Sequence, residues 1–353
     1  MQCWFIMRSS TGTDNLKANR LLRENVFSGL SKLQLLIAQH QFTMLLKSIL
    51  LCAGLSSALL QRDASQITMA NNVSETCNLW PPTTLGTPLV PQAPDAELLQ
   101  MLSEVNVTNI KSTILKLVSF GTRHTLSNQT DPNRGIGAAR DWIASELRQY
   151  AAASKGRMNV TVQGYTQGIA SRIPFPVRIS NVLATLKGST EPDRVYVITG
   201  HYDSRITDVL NYVDDAPGAN DDGSGVAVMM ELCRIMATRH PAATIIFGAV
   251  AGEEQNLYGS GFMAQTLKNA SVNVEGMLNN DIVGSSTGDR GQRDPFTIRL
   301  FAQGPPLTES ASMTAQRLTI GGENDSPARE LGRFAHEVAA NRATGMDVAV
   351  IYR

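Results

Sequence analysis

From about Glu97 to its end the chain alternates short apolar runs with amphipathic stretches. Apolar residues recur at three- and four-residue spacing over 98–120, which predicts a helix closed by Gly121-Thr122-Arg123-His124. A second amphipathic helix is expected over 135–150, with Ile136, Ala139, Trp142, Ile143 and Leu147 on one face. Strand patterns follow at 157–163, 179–186 and 195–199, and the last runs straight into Gly200-His201. Gly223-Ser224-Gly225 opens a helix to about residue 238 that is apolar on most sides, as a buried helix is. The run 243–251 is almost continuously apolar, the pattern of a central parallel strand covered on both faces. A helix over 258–267, strands over 277–283 and 296–302, helices over about 306–318 and 325–342, and a strand over 347–352 complete the series. Alternation of this kind predicts an α/β fold, a mostly parallel central β-sheet with helices on both faces.

The N-terminal part reads differently. Residues 1–43 show no fold pattern. Met44 and Lys47 precede a short apolar run over 48–60 that ends in small residues and Gln61-Arg62-Asp63. That is the make-up of a secretory signal peptide, expected over 44–63, and the run is too short for a comfortable membrane span. Because such signals stand first in a chain, Met44 is the expected true start and 1–43 a start-site extension. The expected location is then secreted or periplasmic, with a signal anchor as the alternative. Residues 64–96 are rich in Pro, Thr and Asn, a linker or surface arm, and 97–353 form the expected folded domain. Five Asn-x-Ser/Thr sequons, at Asn72, Asn106, Asn128, Asn159 and Asn269, matter only in a host that glycosylates; otherwise they are chance matches.

Composition narrows the function classes. Apolar residues make up 42% of the 353, enough for a sizeable core, and 31 basic residues balance 31 acidic ones. That neutrality argues against nucleic acid or an anionic membrane as the main partner. The four cysteines, at 3, 52, 77 and 233, lack paired spacing. Cys3 and Cys52 fall in segments expected to be removed, and Cys233 in an apolar helix reads as a buried thiol. A Cys77–Cys233 disulfide is the alternative.

The chemistry lies in one stretch. It contains His201-Tyr202-Asp203-Ser204, then Asn220-Asp221-Asp222-Gly223, then Gly252-Glu253-Glu254, then Asn279-Asn280-Asp281. Each motif alone has an ordinary explanation. A histidine at a strand end is often only hydrogen-bonded, aspartates before a helix suit its dipole, and two glutamates suit a solvated turn. Together they put an imidazole and several carboxylates at one rim of a sheet, where they repel one another unless cations neutralise them. Imidazole and carboxylate are the ligands that zinc accepts.

As a set these motifs resemble the co-catalytic zinc aminopeptidase family that includes bacterial leucyl aminopeptidase and, more distantly, glutamate carboxypeptidase and glutaminyl cyclase. The resemblance runs from about Leu98 to the C-terminus. It implies two zinc ions: His201 and Asp281 on the first, Asp221 bridging both, Glu254 on the second. It also implies Glu253 as the general base acting on a metal-bridging water, and Asp203 as the partner that fixes the His201 ring. The implied substrates are peptides with a free N-terminus. The family's second zinc also takes a histidine near the end of the domain. The only later one here, His336, lies in a helix pattern and reads as a helix-surface residue, so the chain is expected to stop short of that ligand. Two other readings stay open: a single-zinc, glutaminyl-cyclase-like acyltransferase, and an inactive, peptidase-like binding module.

Overall fold

The computed structural model describes residues 96–303, 309–320, 326–340 and 347–352. The expected signal peptide, the linker before residue 96 and Cys77 lie outside these residues. Seven helices are formed among them: α1 (Ala96–Ser103), α2 (Val107–Ser119), α3 (Ile136–Ala152), α4 (Gly223–Met236), α5 (Tyr258–Asn269), α6 (Ala311–Thr319) and α7 (Pro327–Ala340). The strands are β1 (Met158–Gln167), β2 (Val177–Leu186), β3 (Glu191–His201), β4 (Ala243–Val250), β5 (Asn273–Asn279), β6 (Thr297–Ala302) and β7 (Asp347–Tyr352).

The central sheet has the order β1-β2-β4-β3-β5. It is mixed: β3 runs parallel to β4 and β5, while β2 runs antiparallel to both β1 and β4. The connection over 168–176 is too short for a crossover, so β1 and β2 form a hairpin. β6 and β7 pair in parallel as a separate two-stranded sheet.

Helices cover both faces. On one face α3 and α4 pack over Val182, Ala184, Ile198, Ile245 and Phe247. On the other, Met263 of α5 joins Leu183, Val197, Ile246 and Met277. Every residue of α4 except Arg234 is buried, and so is every residue of β4. A buried Leu, Ile, Phe or Met contributes about 1.5–3 kcal/mol. This layer therefore anchors the fold.

Two expectations change in detail. The helix expected over 98–120 is broken into α1 and α2, because Asn106 turns out of helical geometry and its side-chain oxygen caps Thr108 and Asn109. Glu231 holds the break in place by accepting from the Asn106 N–H at 2.7 Å. The strand expected over 277–283 instead ends at Asn279. Asn280 leaves the sheet there, donating both its N–H (2.9 Å) and its side-chain amide (3.0 Å) to the Thr199 carbonyl. The apolar Ile282 and Val283 extend the pattern in sequence but not the strand.

The crossover from β3 to β4 runs through α4 on one face, and that from β4 to β5 runs through α5 on the other. β3, β4 and β5 are parallel, so their carboxyl ends share one rim. His201, the Glu253-Glu254 pair and Asp281 all leave the sheet at that rim, and α4 begins beside it. This is where open α/β sheets form their clefts.

Candidate metal centre

His201 is the last residue of β3 and is buried, with 2% of its side chain exposed. Its N–H donates to Asp222 Oδ2 at 3.0 Å. The ring's Nε2 looks into a ring of acids: Asp221 Oδ1 at 3.1 Å, Asp281 Oδ1 at 3.9 Å and Glu253 Oε2 at 4.0 Å. On the opposite side, Nδ1 lies 3.1 Å from the Asp203 carbonyl and 3.4 Å from Asp203 Oδ1. Both of those groups only accept, so Nδ1 carries the proton in the neutral ring and the Nε2 lone pair points at the acids.

One ligand atom each from His201, Asp221 and Asp281 lie within 4.8 Å of one another. Ligands about 2.0–2.1 Å from a tetrahedral zinc stand roughly 3.3 Å apart. The donor types and the spacing therefore suit one zinc ion. The Asp221 side chain is 48% exposed, which leaves one side of the group open to solvent.

Three supports behind the group hold it in shape. Asp222 caps α4 by accepting from the Gly225 N–H at 2.9 Å and also from Ile282 N–H at 3.3 Å. Counting its bond to His201, this one buried carboxylate ties together β3, α4 and the segment carrying Asp281. Asp203 is fully buried and accepts from Thr125 Oγ1 (2.9 Å) and from the N–H groups of Glu253 (3.3 Å) and Glu254 (3.1 Å). Asn181 of β2 receives the Ala251 N–H at 3.1 Å and donates to the Gly259 carbonyl at 2.8 Å, clamping both ends of the turn that carries the two glutamates.

Arg123 had no sequence signal beyond its place in a loop. It is wholly buried, and its guanidinium donates to the carbonyls of Leu117, Tyr202, Pro217 and Gly218. Burial brings its pKa down to about 10, against the opposing pull of Asp203, Asp222 and Asp221. It fixes the loop leading into Asp221. Neighbouring His124 accepts from Leu126 N–H through Nδ1 at 3.1 Å, so its Nε2 donates to the Val209 carbonyl at 3.1 Å. It is a structural histidine.

The electrostatics show how crowded the rim is. Burial alone would lower His201, but hydrogen bonds to Asp203 and Asp221 raise it well above the ordinary imidazole range. Burial would raise Asp203, yet its bond to His201 holds it below the usual carboxylate value. Asp222 goes well up through burial and the charges of Asp281 and Asp221, which outweigh the opposing pull of His201. Glu254 is pushed to about 7 by burial and Asp221. Acids held this close favour a cation among them.

The structure thus brings His201, Asp221 and Asp281 together, with Asp203 behind the ring and Glu253 at its edge. Glu254 stands apart from the group of three: its Oε2 accepts from Arg205 Nε at 2.5 Å. His336 sits on α7 with Nδ1 2.8 Å from the Val348 carbonyl of β7, consistent with a structural role. Cys233 is a buried free thiol.

Comparison with known sequences identifies the stretch that carries this geometry. Residues 181–310 match the family described as Peptidase family M28. The matched stretch opens at Asn181, the clamp of the glutamate turn, and takes in every member of the acidic rim.

A protein of Pyrenophora tritici-repentis described as a probable zinc metalloprotease is 70% identical over 276 residues, covering 78% of this chain and 57% of that protein. Another with the same description, from Pyricularia oryzae, is 61% identical over 316 residues, covering 84% of this chain and 63% of that protein. The chain thus spans about three fifths of the length of the curated relatives it matches. Among solved structures it is similar to the LapA aminopeptidase of Legionella pneumophila, at 20% identity and a TM-score of 0.45 over 75% of this chain and 66% of that one.

Proposed function

We propose that this chain carries the catalytic centre of a zinc-dependent aminopeptidase that removes N-terminal residues from peptides. The observation that carries the reading is the convergence of one ligand atom each from His201, Asp221 and Asp281 within 4.8 Å, inside the stretch that matches peptidase family M28. His201, Asp221 and Asp281 would hold the first zinc ion, and Asp221 and Glu254 would contribute to a second. Zinc in such a site supplies Lewis-acid polarisation of the scissile carbonyl and lowers the pKa of the attacking water.

The chain's own groups do the rest. Glu253 reaches the His201 ring edge at 4.0 Å and is partly open to solvent, so it is placed to take a proton from the attacking water and return it to the leaving amine. Asp203 keeps the His201 proton on Nδ1 and, through its bonds to the N–H groups of Glu253 and Glu254, sets where those two side chains start. Asp222 holds the ends of the metal-facing segments in register. The leader expected over 44–63 would deliver it to a secretory or periplasmic compartment. Among the described residues, no helix is long and apolar enough to cross a membrane.

The test is Glu253→Gln, which keeps the size and removes the base. We expect hydrolysis of aminoacyl-p-nitroanilides to fall by about 10²- to 10⁴-fold, the usual contribution of general-base catalysis, with bound zinc unchanged by elemental analysis. Normal turnover by this variant would remove Glu253 from the mechanism.

A further inference from the structure

The proposed centre has an asymmetry that the donor set alone does not suggest. His201, Asp221 and Asp281 face one another, whereas the Glu254 carboxylate is turned onto Arg205. The Glu254 backbone is held at both ends: its N–H donates to Asp203 Oδ2 at 3.1 Å, and its carbonyl accepts from Arg172 Nη1 at 2.8 Å. With the backbone clamped, only the side-chain torsions decide where the carboxylate points. The Glu254 side chain is 8% exposed and that of Arg205 30%. A nearly buried carboxylate needs a cation or donors, and the guanidinium meets it at 2.5 Å. Arg205 comes from the same strand-end segment as His201 and Asp203, two residues past Asp203. Among the described residues its one other hydrogen bond runs from Nη1 to the Ile206 carbonyl at 3.2 Å. The head is therefore tied to little besides Glu254.

We infer that Arg205 is a built-in counter-cation for Glu254 that competes with the second metal ion. The first position fills without disturbing the ion pair. The second fills only when Glu254 exchanges a guanidinium for a metal and Arg205 swings toward solvent. The centre then loads in two unequal steps, and Arg205 weakens the second. This rests on the metal-centre reading above and deepens it. Arg205 acts here as a positioning residue.

The experiment is a zinc titration of the chelator-stripped chain, read by competition with a chromophoric chelator and by elemental analysis. Wild type should show a tight and a weak step. Arg205→Gln should tighten the second step by about tenfold or more and leave the first in place, since a charge at this range is what it removes. Arg205→Lys keeps the cation and should stay close to wild type. In the unaltered chain, Arg205 should become more reactive toward phenylglyoxal, by peptide mapping, only as the second zinc binds.

An unchanged second step in Arg205→Gln, or Arg205 reactivity indifferent to zinc, overturns the inference while the first site stands. If His201→Ala binds zinc as tightly as wild type, the metal centre itself is wrong and the inference goes with it.

Discussion

At the scale of single residues, Glu254 makes the most direct physical claim. In the folded chain, burial and the charge of Asp221 outweigh the opposing pull of His201 and Arg205 and push its pKa to about 7, against 4.5 for the free side chain. Between those two pH values the folded state keeps a proton that the unfolded state has released. Stability from this group is therefore complete below about pH 4.5 and lost as pH rises through 7. For the metal-free chain we expect the melting temperature of wild type to fall across that window relative to Glu254→Gln, whose amide does not titrate. Calorimetry in the presence of a chelator measures the difference between the two curves. A constant offset from pH 4 to 8 would show that Glu254 ionises normally.

At the scale of elements, the rim depends on how β2, β4 and α5 meet. Asn181 reaches from β2 to Ala251 and Gly259, at either end of the turn. A Cβ on Gly259 would lie 2.1 Å from the Ala251 carbonyl oxygen, so the two backbone segments touch with nothing between them. Asn181→Ala leaves buried backbone groups without partners, at about 1–3 kcal/mol. It should lower stability by that amount in urea unfolding and lower kcat more than it raises KM, because the Glu253-Glu254 turn loses its brace. An equal loss in both would place Asn181 outside the positioning of the base.

These elements also show what the sequence made legible. β4 and α4 were plain because burial on nearly all sides leaves an unbroken apolar signature. The rim motifs were visible because they interrupt apolar runs where the strands end. The Asn106 break was hidden because the side chain that caps α2 looks in sequence like any polar residue on a helix face. Arg123 and Asn181 were hidden too. A buried arginine bonded to four carbonyls is specified by tertiary closure, and nothing local announces it. The Arg205–Glu254 pair spans two strand ends 49 residues apart and became visible only when the sheet order placed β3 beside β4.

At the scale of the whole molecule, the three candidate ligands belong to three separate pieces of the fold. His201 ends β3, Asp221 precedes α4, and Asp281 follows β5. A zinc ion held by all three links the two crossovers that run on opposite faces of the sheet. It binds the folded chain and finds no such site in the unfolded one, so it must stabilise the fold by mass action. At free zinc a hundredfold above its dissociation constant the gain is about 2.7 kcal/mol. We therefore expect zinc to raise the melting temperature of the stripped chain and a chelator to reverse the shift. His201→Ala should melt at one temperature with or without zinc, because removing the imidazole leaves only carboxylates. Histidine variants elsewhere separate this from general zinc binding: His336→Ala loses only a contact between α7 and β7 and should keep the full zinc-induced shift. If both variants lose it equally, the ion is not held at the rim, and the ordering of β3, α4 and β5 has another cause.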